Sequence, residues 1–382
     1  MKFLFINGTT STSHSFIQYV QLIPHGSLMQ HEFFSQKITA WYHQHKRDLP
    51  WRNINNPYFI WLSEVILQQT RVVQGTPYYF KFIETFPTVQ DLAAADEKEV
   101  LRLWQGLGYY SRARNLHITA KMVVENYGGI FPNNYAELLK LKGIGTYTAA
   151  AIASFAFGEK VAVLDGNVYR VLARVFGEDT DIAGNDAKKV FTKLAESVLP
   201  ESYSDTHNQA IMEFGAMQCT PGLPNCMFCP LSFECVAYAT GRVGVLPMKS
   251  KKIKVRERFF NYFVIEQNGK FVMRERVGKD VWAGMYDFYL KEFSENTEAL
   301  DDIISDDIIL ENLLKNSVIK RESSVYLHIL THQRIKTKFW HLEINPNFVI
   351  HLPPELQWHT LNEVDDLPKS TLVNNYLREF VF

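Results

Sequence analysis

Across residues 30–240 the apolar positions recur at steps of three and four, as in Val100, Leu101, Leu103 and Trp104, or Leu138, Leu139 and Leu141. That is the period of helices that bury one face. Gly and Pro punctuate the pattern at Asn56-Pro57, Phe86-Pro87, Gly106-Leu107-Gly108, Gly128-Gly129 and Phe131-Pro132. The region is predicted to be almost wholly helical. From Arg258 onward the pattern changes. A strand-like run, Phe259–Ile265, leads to Asn268-Gly269, and Lys270–Met273 follows. An Asn-Gly pair between two such runs signals a hairpin. Later strand-like runs are Tyr326–Leu330 and Lys338–Ile344, with Asp301–Leu314 expected as an intervening acidic helix. The expected fold class is therefore a mainly α region followed by an α+β domain.

Two stretches fall outside this pattern. Residues 241–257 read as a basic linker, with Arg242, Lys249, Lys251, Lys252, Lys254 and Arg256 around Gly241, Gly244 and Pro247. A DNA-contacting segment and a merely solvated connector would look alike here. Residues 1–29 read as a disordered or misannotated extension. Their apolar run Phe3–Ile6 is shorter than the roughly 7–15 residues of a signal-peptide core, and Met29 is an alternative start. The expected division is thus 1–29, 30–240, 241–257 and 258–382.

Composition adds three constraints. A chain of 382 residues accommodates two ordinary domains. A net charge of −1 excludes a molecule that is basic overall, so any nucleic-acid surface must be a local basic face. No apolar stretch approaches the roughly 20 residues of a membrane span; a monomer in the cytoplasm, away from membranes, is expected. All four cysteines lie in one window with the spacing Cys219-x6-Cys226-x2-Cys229-x5-Cys235. Four such thiols in a large chain look like metal ligands. Thiolates suit zinc and iron–sulfur clusters alike, so ligand type leaves both open.

Candidate chemistry sits at three further places. Leu141-Lys142-Gly143-Ile144-Gly145 separates two helical patterns, Tyr135–Leu141 and Thr146–Phe157. This is the pattern of a helix-hairpin-helix, with an ordinary helix connection as the alternative. Gly143 and Gly145 would let the backbone approach a phosphate, with N–H groups of the second helix pointing at it. A monovalent cation is a candidate ligand of the same turn. Asp165 ends the apolar run Val161–Leu164 and precedes the helical pattern Val168–Phe176. As a helix cap it is expected to stay ionised. Glu64 is the opposite case: its helical neighbours Ile60, Trp61 and Leu67 are apolar. Its pKa should rise, unless it is a buried partner of Arg52 or Arg71. One protonated and one ionised carboxyl group form the pair that glycosidic cleavage uses.

Several motifs together carry a specific resemblance. Leu49-Pro50-Trp51-Arg52, the run Ser63–Thr70, the run Gly106–Asn115 and Leu164-Asp165-Gly166-Asn167-Val168 resemble the MutY family. These are adenine DNA glycosylases of the helix-hairpin-helix, or endonuclease III, superfamily, acting on adenine mispaired with 8-oxoguanine in double-stranded DNA. The likeness covers residues 30–240 closely and the C-terminal part more loosely. It implies a six-helix barrel with an iron–sulfur lobe, then a Nudix-like domain. It favours a 4Fe–4S cluster over zinc on Cys219, Cys226, Cys229 and Cys235, in a structural role.

The resemblance also implies individual roles. Glu64 matches the general acid that protonates adenine N7, and Asp165 the carboxylate that stabilises the oxocarbenium ion. Tyr147 and Asn167 match residues that order the two. Arg52 and Gln209 match the adenine pocket. Gln69, Thr70, Leu107 and Tyr109 match DNA contacts beside the lesion, although core packing is the alternative for Leu107 and Tyr109. Tyr147 stands where strand-cleaving relatives carry a Schiff-base lysine, which implies base removal alone. In the last domain, Asp280–Phe288 resembles the family's glycine-tryptophan stretch. The magnesium-binding acidic helix of active Nudix enzymes is missing, so this domain should read a base. Reading would centre on Thr331 and His332; Leu330 stands where the family more often has Phe. The competing readings are an endonuclease III-like lyase and a catalytically silent damage-binding protein.

Overall fold

A computed structural model describes residues 28–250, 255–295 and 299–382. The expected N-terminal extension, up to residue 27, and linker residues 251–254 lie outside the described residues. The chain forms two units that each combine distant segments. The first joins residues up to Val65 with Ile130–Lys251, and the second joins Ile66–Gly129 with Lys252–Phe382. The linear division at 241–257 is therefore crossed. Residues 66–129 are helical, as their periodicity predicts, but belong to the unit that holds the C-terminal sheet. Periodicity reports that a helix has an apolar face, not what covers it. Here Arg114 donates to the Ala283 carbonyl at 2.5 Å, and the Lys369 N–H donates to Gln105 Oε1 at 3.0 Å.

The first unit is helical. Leu28–His45, Thr146–Phe157, Gly166–Phe176, Ala187–Val198 and Ser204–Met217 are among its helices. Phe34, Ile38, Trp41, Val171, Leu172, Phe191, Ile211 and Phe214 bury into one core, with Leu231 and Cys235 of the cysteine window packed into it. The expected linker does not leave this unit at 241. Leu246 is buried, its carbonyl accepts from Arg174 Nε at 3.0 Å, and the Met248 carbonyl accepts from the Ile182 N–H at 2.9 Å.

The second unit carries, among the described residues, an eight-stranded sheet. Its strands are β1 (Arg256–Gln267), β2 (Lys270–Glu275), β3 (Tyr286–Asp287), β4 (Tyr289–Phe293), β5 (Ser317–Glu322), β6 (Tyr326–Ile329), β7 (Gln333–Ile344) and β8 (Gln357–Thr360). The main path runs β3-β2-β1-β7-β5, while β4, β6 and β8 pair with β1, β7 and β2. The predicted hairpin forms: Gln267 pairs with Lys270 around Asn268 and Gly269, whose φ angles are 51° and 71°. Both values suit the turn whose twist matches its strands.

Three expectations needed revision. β7 starts at Gln333, because it pairs in parallel with β1 from Arg256↔Gln333 to Glu266↔Glu343; a partner strand extended it beyond its own alternation. The acidic helix divides into Leu300–Ile304 and Ile308–Lys315, the second capped by Asp307 accepting from the Leu310 N–H at 3.0 Å. The first hairpin helix stops at Leu138, not Leu141.

Replacing Gly269 by Ala puts a Cβ into the left-handed region. The chain should lose about 1–2 kcal/mol of stability, read as a lower melting temperature of the second unit.

Candidate active site

Glu64 projects from the helix Pro57–Ile66. That helix starts where the sequence says it should: Asn56 Oδ1 accepts from the Tyr58 N–H at 2.9 Å, and Pro57 opens the first turn, where no donor is missed. Its apolar residues Ile60, Trp61 and Leu62 are buried, and Trp61 packs its ring against Phe131 at 5.3 Å. Glu64 is carried inward with them and is 8% exposed. Tyr147, in the first turn of Thr146–Phe157, donates its hydroxyl to Glu64 Oε2 at 2.5 Å. Burial pushes the carboxyl up to about 7; Tyr147 and the charge of Arg52 pull against this, while the charge of Asp165 adds to it. The alternative ion pair with Arg52 does not form, since Arg52 binds Glu213 instead.

Asp165 caps the helix Gly166–Phe176. Its Oδ1 accepts from the backbone N–H groups of Asn167 and Val168, each at 2.8 Å, and its Oδ2 accepts from Asn167 Nδ2 at 2.7 Å. Burial holds this carboxyl above its ordinary value too, and the three donors and the Arg170 charge offset only part of that rise. The two carboxyl groups thus differ by donor count. Glu64 has one phenol, whereas Asp165 has three N–H groups and a nearby cation, so Glu64 holds its proton more readily. Arg170 also orients Asn167, donating to its Oδ1 at 2.8 Å. Gly215 lies against this arrangement: a Cβ there would sit 2.6 Å from Asn167 Cβ and 3.0 Å from its carbonyl oxygen.

A second polar cluster holds Arg52. Its Nη2 donates to Glu213 Oε2 at 2.6 Å and its Nη1 to the Arg47 carbonyl at 3.0 Å. Arg47 adds its backbone N–H, Nε and Nη2 to Glu213 at 2.9, 2.8 and 2.7 Å. Glu213 is 1% exposed, and these donors hold its carboxyl down at about 2 despite burial. Tyr42 lies under the Arg52 guanidinium, 5.4 Å from ring centroid to carbon, and donates its hydroxyl to Gln209 Oε1 at 2.8 Å. Arg47, Tyr42, Glu213 and Arg170 were not singled out from the sequence. The available signal was spacing: Gln209 and Glu213 are one turn apart on Ser204–Met217, and Asn167 and Arg170 share a face of theirs.

The four cysteines surround one cavity in the first unit, with Arg174, Phe214 and Leu231 in its wall. Cys235 is buried and the other three half-buried. Burial, with the charges of the other cysteines adding to it and backbone N–H groups opposing it, pushes Cys229 up to about 12 and Cys235 to about 11. Thiolates gathered this closely repel one another, so the set fits a cationic centre in its midst. Among the described residues no three His, Cys, Asp or Glu side chains converge on a single-ion site.

The hairpin glycines differ in kind. Gly143 has a φ of 80°, where a side chain would be strained, whereas Gly145 is in extended backbone as the N-cap of Thr146–Phe157. Nothing lies within 4 Å of a Cβ built on Gly145, so its smallness leaves an open approach to that helix start.

The remaining predicted residues fall in the second unit. Gln69 and Tyr109 are exposed with φ of 54° and 50°, and Gly106 and Gly108 of Tyr109's loop are also left-handed, at 96° and 78°. The glycines adopt these angles without strain; at the non-glycine residues Gln69 and Tyr109 they are strained, as is common at functional sites. Thr70 accepts from Arg112 Nη2 at 3.3 Å. Leu107 is 5% exposed. Thr331 and His332 are exposed at the turn between β6 and β7, not buried in a strand, and the Tyr109 hydroxyl lies 2.5 Å from Thr331 Oγ1. These two residues and Leu107 line one cavity with Trp282 and His328.

Gly215→Ala should displace Asn167 and, through it, Asp165. The expected loss is about 1–3 kcal/mol of stability, with a fall in any activity that depends on Asp165 beyond the loss of folded protein. Melting curves and activity per folded molecule check the two parts.

The comparisons with known proteins bear on the fold and the family. Residues 62–200 match the family described as HhH-GPD superfamily base excision DNA repair protein, and residues 261–379 match the NUDIX domain. An adenine DNA glycosylase of Buchnera aphidicola (subsp. Baizongia pistaciae) is 36% identical over 83% of this chain and 86% of its own. The human adenine DNA glycosylase is 44% identical over 53% of this chain and 39% of its own. Among solved structures, a thermostable thymine-DNA glycosylase superposes with a TM-score of 0.52 at 30% identity, over 56% of this chain and 98% of its own. An endonuclease III trapped on DNA shares the fold, with a TM-score of 0.50 at 23% identity over 56% of this chain and 98% of its own. With its helix-hairpin-helix glycosylase region, its Nudix-like domain and a curated relative matched over most of both lengths, the chain belongs to the adenine DNA glycosylase family.

Proposed function

We propose that this DNA glycosylase removes adenine mispaired with 8-oxoguanine from double-stranded DNA and leaves an abasic site, as a cytoplasmic monomer. The observation that carries the reading is the unequal pair of carboxyl groups: Glu64 buried with a single phenol donor, Asp165 with three N–H donors.

The adenine must leave the helical stack to meet a buried acid. Arg52 and Gln209 are the candidate contacts to the flipped base. Glu64 gives its proton to N7. The C1′–N9 bond then breaks, with its electron pair passing to the base, which departs neutral. Asp165 stabilises the positive charge left at C1′. Water adds to C1′ and gives up a proton to a neighbouring carboxylate, completing hydrolysis. Tyr147 has no amine with which to form a Schiff base, so the strand stays intact. Tyr147 and Asn167 act by fixing the two carboxyl groups.

The finer specificity, for 8-oxoguanine in the opposite strand, is supported by the exposed Thr331 and His332, each able to hydrogen-bond to a base edge. The contact of Thr331 with Tyr109 joins them to the strained loop of Gly106–Tyr109. Gln69, Thr70 and Leu107 are the further candidate DNA contacts. Gly143 and Gly145 would present backbone N–H groups to a phosphate, with a monovalent cation as a candidate ligand of the same turn. Cys219, Cys226, Cys229 and Cys235 would hold a 4Fe–4S cluster, supported by their spacing and shared cavity. The cluster would supply cohesion to the loop, and hydrolysis itself would remain with the two carboxyl groups.

A single-turnover assay on an adenine:8-oxoguanine duplex tests the reading. The rate should fall as pH rises through about 7, where Glu64 loses its proton. Glu64→Gln should lower it about 10²–10⁴-fold. Strand breaks should appear only after alkali or heat. Equal rates for Glu64→Gln and the parent protein would remove Glu64 as the acid, and spontaneous strand scission would remove the monofunctional assignment. Iron analysis of purified protein should give about four atoms per chain. Stoichiometric zinc in place of iron would overturn the cluster assignment.

A further inference from the structure

The polar cluster around Arg52 contains a group to which the proposed chemistry gives no part. Glu213 is buried in the first unit and accepts four hydrogen bonds, three from Arg47 and one from Arg52. We propose that Glu213 is a positioning residue of base excision: it gathers Arg47 and Arg52 into one clamp, and so limits the positive charge felt by the acid Glu64. The inference rests on the reading of Glu64 as the acid.

The geometry argues for more than cohesion. Two guanidinium groups against one carboxylate leave one net positive charge; without Glu213 there would be two. Arg52 is largely withdrawn from solvent, with its side chain 11% exposed, so water screens it poorly. Its charge already acts on Glu64 in the direction of ionisation. Arg52 is also oriented from two sides. Glu213 and the Arg47 carbonyl bind its edge, while Tyr42 lies under its face and fixes the Gln209 amide. A guanidinium held in this way presents a fixed set of donors to a flipped base.

The groups acting on Glu64 each come from a different element. Tyr147 reaches it from the helix Thr146–Phe157, Asp165 from the start of Gly166–Phe176, and Arg52 from the segment after Leu28–His45. Tyr147 and Arg52 favour ionised Glu64, while Asp165 opposes ionisation. The sign of the effect follows. Removing the carboxylate of Glu213 adds uncompensated positive charge on the Arg52 side. Ionised Glu64 is then favoured, and the pH at which the acid is lost moves down.

The test is a single-turnover pH–rate profile on the adenine:8-oxoguanine duplex, with rates normalised to the folded, duplex-binding fraction. Glu213→Gln should move the midpoint of the alkaline limb down by about one unit and slow the reaction about tenfold on the alkaline side of that limb. Glu213→Asp keeps the charge and should restore the midpoint. If Glu213→Gln does not fold, Arg47→Gln removes one cation while Glu213 stays paired with Arg52. The net charge of the clamp then falls from one to zero, and the midpoint should move up instead. An unshifted midpoint in whichever of the two charge-changing variants, Glu213→Gln or Arg47→Gln, folds overturns the proposal, even if stability falls, because loss of packing alone lowers the folded fraction without moving a titration. The Glu64 reading fails separately: the parent profile would then lack a limb that Glu64→Gln abolishes, and the proposal would fall with it.

Discussion

Burial of one carboxyl group organises the first unit's chemistry. Glu64 sits on a helix whose neighbouring side chains are committed to the core, so it cannot turn to solvent without taking Ile60, Trp61 and Leu62 out of their packing. A carboxylate in that position would need several donors or a cation to remain ionised. It has one phenol. The result is an acid that still holds its proton near neutral pH, and the surrounding structure preserves that shortage. Arg52, the cation that could have paired with it, is engaged by Glu213 and the Arg47 carbonyl.

Asp165 shows the reverse solution to the same constraint. It too is withdrawn from water, yet it stands at a helix start, where backbone N–H groups lack intrahelical partners. Two of these and the Asn167 amide bind it. Arg170 then orders Asn167, and the absence of a side chain at Gly215 leaves Asn167 its space. The same helix reaches the cysteine loop. Arg170 donates to the Cys219 carbonyl at 2.7 Å, and Arg174, one turn on, donates to the Thr220 carbonyl at 2.8 Å. The loop that holds the four thiols is thereby tied to the helix that Asp165 caps.

The second unit supplies a different kind of surface. Its sheet is built around the long parallel pairing of β1 with β7, and the Tyr262, Phe339 and Tyr376 rings stack to hold the helix Thr371–Phe380 against it. On that rigid base the turn between β6 and β7 exposes Thr331 and His332. Positive φ at Gly106, Gly108 and Tyr109 brings the facing loop round so that Tyr109 meets Thr331. Loops carried on a packed scaffold are well placed to meet a ligand.

Much of this was legible in the residues themselves. The Asn268-Gly269 hairpin, the Thr146–Phe157 helix, the cap at Asp165 and the cysteine spacing all depend on local chemistry, which a neighbouring residue or the next turn decides. Glu64's raised pKa was readable for the same reason, since its apolar neighbours are on its own helix. The rest required partners far away in the chain. Glu213 is 161 residues from Arg52, and nothing local distinguishes their pairing from the ion pair of Arg52 with Glu64 that the sequence left open. The grouping of residues 66–129 with the C-terminal sheet, the early start of β7, and the exposure of Thr331 at a turn likewise came from tertiary contacts. Sequence alone determined that Glu64 and Asp165 could carry the chemistry; the tertiary structure decided which charges are neutralised, because their partners lie far apart in the chain.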